Sequence, residues 1–241
     1  MRSMSAIAAG ALTAMAGSML ISCSGEAGDR ADSNVVQELQ HRREAASRVA
    51  PYDEVEDLLP NRTYQMGSGP IWQYSTVVVK GRFGSATAGK AYSADDSPSG
   101  VEVPFDGPAE WRTFHVSVTP DEVIAGRLPA GNLTMGLALS GTADVKKVEK
   151  DLASLGEVVL FLGPSDVYAY ADGVLGSVDS GELIGQVDST GKVTFPVLKD
   201  GEKAGFDDVT LDNLAAAAKG PRVEVQLDAS GATVLSEKTV S

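Results

Sequence analysis

The chain contains a single cysteine, Cys23, which directly follows the only long apolar run of the sequence, from about Ala6 to Ile21. Because one cysteine cannot form an internal disulfide, the fold has to be stable without this kind of cross-link. The apolar run is shorter than the roughly 20 residues that cross a hydrocarbon core comfortably. A positive start with Arg2, an apolar run and then small residues is the order of an export signal. We therefore predict a cleaved signal rather than a retained transmembrane helix.

The four residues Leu20, Ile21, Ser22 and Cys23 resemble the lipobox of bacterial lipoproteins. The resemblance implies that the sulfur of Cys23 carries a diacylglyceryl group, and that cleavage before Cys23 makes it the mature first residue. This chemistry needs a thiol, because a thiolate is a strong nucleophile under mild conditions. Two acyl chains give a lasting anchor, whereas a single chain binds marginally. We expect residues 1–22 to be a signal peptide and the remainder to be held on the extracytoplasmic side of a cell membrane.

Residues 23–34 are rich in Gly, Ser and Asp and lack apolar periodicity. They are predicted to be a lipidated, flexible tether with a root-mean-square reach of about 18 Å. Residues 35–60 are predicted to be a helical extension, which consists of one helix before Pro51 and one short turn before Pro60. We expect this extension to lie on the folded domain rather than to form it.

The charge balance excludes some classes of partner. The chain has 20 basic and 33 acidic residues, a formal net charge of −13. Nucleic-acid binding is disfavoured, because phosphates are recognised by patches of Lys and Arg. Adsorption of the protein surface on anionic lipid headgroups is disfavoured for the same reason. The expected membrane attachment is therefore the covalent lipid.

The first three predicted elements of the folded domain are strands. Residues 71–83 are β-branched and aromatic, and Gly81 within them predicts a bulge or a bend. After a Gly- and Pro-rich loop, residues 111–118 alternate between apolar and polar side chains, as a half-buried strand does. Residues 132–139 are predicted to be the third strand.

After the third strand, the spacing of the apolar residues changes from the alternation of a strand to the three- and four-residue spacing of a helix. Residues 142–155 place apolar side chains on one helical face, with Thr142 as the expected N-cap and Gly156 as the stop. Residues 157–162 are entirely apolar after the first position and predict a buried strand, and residues 167–171 predict another. The remaining predicted elements are a hairpin (182–187 and 192–195), a helix (208–219) and a closing hairpin (222–227 and 233–236).

The order of three strands, one helix and two strands predicts a mainly β fold with an OB-like five-stranded barrel, in which the helix plugs the barrel. A Greek-key sandwich and an α+β sheet are the alternatives. We assign residues 71–200 to the OB-like domain. Residues 201–241 are expected to pack on the same domain as a C-terminal helix and a β-hairpin.

Three segments also resemble netrin modules, tissue inhibitors of metalloproteinases and uncharacterised secreted bacterial domains of that build. These segments are Thr76–Arg82, the strand from Thr113 that leads to Gly126, and Gly156–Leu162. Protease inhibition is not implied, because those inhibitors bind zinc through a free N-terminal cysteine held by disulfides. Here Cys23 is expected to be acylated.

Side chains for catalysis are scarce. His41 and His115 are the only histidines, which makes a zinc triad improbable, and no cofactor motif is present. A triad of His115 with Ser165 and Asp166 is disfavoured, because Gly-Pro-Ser-Asp is a turn sequence and not a nucleophile elbow. The acidic residues lack the spacing of a calcium loop, although an incidental calcium site in loops 172–188 is left open. We predict no catalytic residues and no metal site.

Aromatic residues are the remaining candidates for a binding site. Trp72, Tyr74 and Trp111 are predicted to form a ligand face, with core packing as the alternative. The favoured hypothesis is a non-catalytic binding or interaction module whose partner is an extracytoplasmic protein or a small ligand. The alternatives are a secreted hydrolase that uses carboxylates, and an envelope spacer or assembly factor.

Overall fold

Two β-sheets account for most of the regular structure of the protein. The computed structural model describes residues 34–45, 53–93, 100–164, 170–199, 204–231 and 233–240. The prediction of a mainly β fold is confirmed. Residues 1–22 and all of the expected tether except Asn34 lie outside the described ranges. Among the helices within those ranges, none is long and apolar enough to span a membrane.

The described helices are short. The α-helices are α1 (Val35–Ala45), α2 (Val145–Ala153) and α3 (Leu211–Ala218), and 3₁₀-helices occupy Val55–Leu58 and Val178–Gly181. The small sheet consists of β1 (Arg62–Met66), β2 (Ile71–Trp72), β11 (Arg222–Leu227) and β12 (Val234–Val240). The large sheet consists of β3 (Val77–Ser93), β4 (Val101–Val103), β5 (Trp111–Gly126), β6 (Thr134–Ser140), β7 (Val158–Gly163), β8 (Leu175–Ser177), β9 (Gly185–Val187) and β10 (Val193–Thr194).

Five strands of the large sheet form a ring. The strands follow the order β3, β5, β6, β8 and β7, and β7 pairs again with β3. The β6–β8 pair is parallel, whereas the other four pairs of the ring are antiparallel. Helix α2 connects β6 to β7 along the chain.

The long strands β3 and β5 are bent where their pairing shifts register. One shift lies between Lys80 and Gly81, so the bulge predicted at Gly81 is confirmed. The two backbones approach closely at this point, because a Cβ atom on Gly81 would lie 2.4 Å from the carbonyl oxygen of Thr119. Such bulges increase the local twist and allow a sheet to curve.

Both faces of β7, and of the first three residues of β3, are buried, which explains the unbroken apolar run of β7. Val77 and Val79 belong to a core that the ring strands share with Val148 and Leu152 of α2. Val78 points the other way, into a second core. That core consists of Val159 and Phe161 of β7 with Phe195, Phe206 and Leu214 and further buried side chains. The predicted buried strand at residues 157–162 is confirmed.

Helix α1 is part of the packed body and does not merely lie on it. Val35 and Leu39 are 3% and 1% exposed and belong to the core of the ring. Asp151 of α2 accepts a hydrogen bond from the backbone N–H of Val35 at 3.1 Å. The carboxylate of Glu38 accepts one from the backbone N–H of Ser140. The weak apolar stripe of this helix concealed its burial, because only two side chains carry it.

One detail of the sequence prediction was wrong. Asp144, and not Thr142, is the N-cap of α2, and its Oδ1 accepts from the backbone N–H groups of Lys146 and Lys147 at 2.9 and 3.0 Å. The fifth strand of the ring is β8, which begins at Leu175. Most of the strand predicted at residues 167–171 lies outside the described ranges, because residues 165–169 are not described.

The small sheet was not anticipated as a separate layer. Its order is β12, β11, β1 and β2, and its centre is the parallel pair of β1 with β11. The predicted closing hairpin is confirmed as β11 and β12, which pair in antiparallel orientation. Strand β1 lies in a stretch for which the sequence analysis made no assignment.

Candidate functional site

Two of the three predicted ligand-face aromatics lie together at the small sheet: Trp72 is in β2, and Tyr74 follows two residues later. Trp72 stacks on Tyr64 with ring centroids 4.9 Å apart, and Tyr74 meets both rings edge-on, at 4.8 Å from Trp72 and 5.0 Å from Tyr64. The cross-strand pairing of Tyr64 with Trp72 brings the first two rings together. We call Tyr64, Trp72 and Tyr74 the aromatic trio.

Tyr64 is the fixed member of the aromatic trio. It is 1% exposed, and its hydroxyl donates a hydrogen bond to the carbonyl oxygen of Asp57 at 2.8 Å. Burial, followed by the nearby carboxylate of Asp57, raises the pKa of Tyr64 well above its ordinary value. The phenol therefore stays neutral and serves as a structural support rather than as a base.

The Trp72 side chain is half-buried. It packs against the small core of Tyr64, Val225 and Leu227, as the alternative prediction of core packing expects for part of the ring. The part of the ring that stays accessible lines an open groove.

An open groove of about 400 Å³ borders Trp72. Its other lining residues are Pro60, Thr63, Ile71, Gln73 and Arg222. Ile71 is 61% exposed, whereas the Gln73 amide is held because it donates to the carbonyl oxygen of Pro60 at 2.5 Å. The lining of the groove therefore contains both apolar and polar side chains.

Arg222 supplies the charge of the groove. It is the first residue of β11, is exposed, and makes no ion pair or side-chain hydrogen bond within the described part of the chain. In a chain with a net charge of −13, a guanidinium without a carboxylate partner is a natural site for an anionic group. Arg222 was not predicted as a site residue, because a lone arginine at the start of a strand has no distinguishing local pattern.

Trp111 does not belong to this groove. It begins β5 in the large sheet, where its ring stacks on Tyr92 at 5.6 Å. A Cβ atom on Gly100 would lie 2.7 Å from the Trp111 ring. Gly100, the residue before β4, therefore also packs against this ring. The structure therefore brings Trp72 and Tyr74 together and places Trp111 in a different sheet.

The lipobox residues Leu20, Ile21 and Ser22 and the lipidation residue Cys23 lie outside the described ranges. Ser165 and Asp166, the other members of the disfavoured triad, lie outside them too. Asp188, one of the acidic residues of loops 172–188, stabilises a turn. The Oδ1 of Asp188 accepts hydrogen bonds from Thr190 and from the backbone N–H of Lys192. Among the described residues, no group of three or more His, Cys, Asp or Glu side chains could hold a metal ion.

His115 lies on the polar face of β5, half-buried and edge-on to Tyr170 at 6.2 Å between ring centroids. Burial lowers its pKa below the ordinary histidine value. The folded protein therefore binds this proton less readily than the unfolded chain, so the stability contributed by neutral His115 is lost as the pH falls below about 6.5.

We expect His115→Gln to reduce the acid sensitivity of the fold. The free energy of unfolding of the parent protein should fall between pH 7.5 and pH 5, and the variant should lose less over the same interval. Urea unfolding at the two pH values measures both losses. An equal or larger loss in the variant would contradict the assignment of a lowered pKa to His115.

Comparisons of the chain with protein-family models, with curated proteins and with solved structures find no match.

Proposed function

We propose that the protein is a lipid-anchored, extracytoplasmic binding module without catalytic activity, and that the groove beside Trp72 is its ligand site. The lipobox-like sequence from Leu20 to Cys23 supports the anchor. The groove supports the binding role, because it brings an indole ring together with polar side chains that can fix the orientation of a ligand.

The ring of the large sheet is proposed to be an OB-like barrel. Its order of β3, β5, β6, β8 and β7 supports this proposal, as does the parallel contact of β6 with β8. The position of α2 between the third and fourth ring strands supports it further. In this proposal the ring is the rigid scaffold, and the small sheet with its groove is an addition to it.

The observation that carries the binding proposal is the presence of the half-buried Trp72 ring and the exposed guanidinium of Arg222 in the lining of one groove. An indole face binds an apolar or ring-shaped group, and a guanidinium binds a carboxylate or phosphate in a bidentate manner. The expected ligand therefore carries a flat or apolar portion and an anionic group a few ångströms away. Nucleic acid is disfavoured by the overall charge.

The test is a binding titration with two anionic probes, galacturonic acid oligomers and short peptides that contain glutamate and an aromatic residue. We expect one probe to bind, and Arg222→Gln to weaken it about tenfold, which is the loss of one charge-assisted hydrogen bond. Arg127→Gln is the matched control, because Arg127 is an exposed arginine that does not line the groove.

Equal affinity of the parent and Arg222→Gln for both probes, or no binding of either, would contradict this site. Turnover of a probe that ceases in His115→Ala would favour the hydrolase alternative instead. A deletion strain with altered envelope integrity, and no probe binding, would favour the spacer alternative.

A further inference from the structure

Four exposed aliphatic side chains gather at one end of the small sheet. Met66 ends β1, Ile71 begins β2, and Val234 and Leu235 begin β12. They are 40%, 61%, 46% and 63% exposed. We call these four residues the apolar tip. Such a grouping of exposed apolar side chains commonly marks an interaction surface.

The strand register places these residues at the same end of the small sheet, with Ile71 on the face opposite Met66. Met66 is paired with Leu227 of β11, and Leu227 is paired with Val234, while Ile71 lies opposite Gln65, the neighbour of Met66. The four strands therefore present the apolar tip over a width of about 15 Å, which is three strand spacings. The Met66 side chain also packs against the β11–β12 turn, since a Cβ atom on Gly231 would lie 2.5 Å from its Cε.

The two turns that frame the apolar tip carry little charge. Residues 67–70 are Gly-Ser-Gly-Pro, and Asp228 is the only charged residue of residues 228–233. The Oδ1 of Asp228 accepts hydrogen bonds from the backbone N–H and the hydroxyl of Ser230, at 3.1 and 2.8 Å. These two turns can enter an apolar phase without carrying an unpaired lysine or glutamate with them.

We propose that the apolar tip enters the interface of the same bilayer that holds the lipid on Cys23. This inference rests on the proposed lipid anchor. The segment from Cys23 to Asn34, which the sequence predicts to be the tether, spans at most about 39 Å even when fully extended. A body of this size has a diameter of roughly 40 Å, so the bilayer is always within reach of it.

Anchoring turns a weak second contact into an intramolecular one. The membrane is present at a high effective concentration for a tethered body, so a modest apolar patch is sufficient to orient it. The lipids should be zwitterionic, since the net charge of −13 opposes an anionic surface. Because Ile71 also lines the groove, this orientation would open the groove beside the membrane surface.

A protein partner fits the same end less well. Binding hot spots on proteins are enriched in Trp, Tyr and Arg and lie in well-packed pockets. The apolar tip contains only aliphatic side chains and Met, and it lies between two turns at the end of a sheet. A deformable lipid interface accommodates such a shape, with side chains buried about 5–10 Å into the boundary between headgroups and acyl chains.

The two tryptophans of the chain make the inference testable by fluorescence. The processed protein is isolated from membranes of expressing bacteria and reconstituted into phosphatidylcholine vesicles with brominated acyl chains, which quench nearby indoles. Trp111→Phe leaves Trp72, beside the apolar tip, as the only tryptophan. Trp72→Phe leaves Trp111, which pairs with Tyr92 near the far end of β3 and serves as the reference.

We expect brominated lipid to reduce Trp72 emission roughly twofold, as shallow insertion predicts, and to leave Trp111 emission nearly unchanged. Ile71→Ser combined with Leu235→Ser should abolish the quenching of Trp72. Val101→Ser combined with Val123→Ser is the matched control, since these valines are 49% and 42% exposed elsewhere in the structure. The control pair should retain the quenching.

Equal quenching of the two tryptophans would overturn the inference, and so would quenching of Trp72 that survives the Ile71→Ser and Leu235→Ser pair. The intact mass of the same preparation separates this failure from a failure of the anchor. Acyl chains on Cys23 without selective quenching would refute the apolar tip alone. An unacylated mass would refute the anchor and the inference together.

Discussion

Replacing Arg42 and Arg43 together by Met is expected to lower the free energy of unfolding by about 3–5 kcal/mol, the usual cost of leaving a buried charge without its partner. The buried charge is the carboxylate of Glu182, whose side chain is 0% exposed. Its two oxygens lie 3.4 Å from Nε of Arg42 and 3.1 Å from a terminal nitrogen of Arg43. The two guanidinium groups come from α1, and they are 18% and 16% exposed.

The same contacts fix α1 to the body. A helix of 11 residues is marginally stable alone, so its docking depends on Val35, Leu39 and the two arginines. Arg42 also donates to the carbonyl oxygen of Ala138 on β6. Losing both guanidinium groups therefore leaves the carboxylate of Glu182 without these ion-pair partners. It also removes contacts that hold α1 on the body.

Chemical denaturation of the parent and the double variant measures this loss. Adding Glu182→Gln to the double variant should recover at least half of it, since no uncompensated charge then remains. Arg82→Met is the surface control, because Arg82 is 54% exposed in its pairs with Asp121 and Glu157, and it should cost less than about 1 kcal/mol. A double variant as stable as Arg82→Met would contradict the assignment of a buried, compensated charge.

Replacing Cys23 by Ser is expected to move the protein from the membrane to the soluble extracytoplasmic fraction. The variant is expressed behind a signal peptide whose cleavage needs no cysteine, so that an uncleaved apolar run cannot hold it. Each buried methylene contributes about 0.8 kcal/mol, so loss of the acyl chains should reduce the membrane-bound share roughly a hundredfold or more. Cell fractionation and detergent phase partitioning measure that share.

Ser22→Ala is the matched control for the anchor. It keeps a small residue before the cysteine, as the resemblance to a lipobox requires, and should leave the protein in the membrane fraction. Retention of the Cys23→Ser variant in that fraction, at the level of Ser22→Ala, would show that something other than the thioether-linked lipid holds the protein.

Much of the ring could be predicted, because its strands have strong local patterns. Strand β7 is apolar throughout, β5 alternates, and α2 carries apolar residues on one face. The small sheet could not be assembled in this way. Its central strand β1 is short and pairs with β11 from the other end of the chain, and no local pattern encodes that partner.

The candidate site was predictable only in part for the same reason. Trp72 and Tyr74 are two positions apart, so alternation alone suggests that they share a face. Trp111 was grouped with them only because it is also aromatic. The structure places it in the large sheet, away from the other two. Tyr64 and Arg222 join the site through non-local pairing. The alternation of Thr63 to Met66 between Pro60 and Gly67 was a signal that could have identified β1.

The burial of Glu182 also could not be predicted from the local sequence. The sequence places it at the start of a predicted hairpin, where a glutamate is ordinarily exposed. Its environment is created by α1, whose two arginines lie about 140 positions earlier in the chain. Only the packing of α1 into the core turns this surface residue into a buried one.

The intact mass of the protein purified from membranes of expressing bacteria tests the central claim most directly. The account predicts a chain that begins at Cys23 and carries a diacylglyceryl group on its sulfur. A chain that still begins at Met1, or one with an unmodified thiol at Cys23, would contradict it.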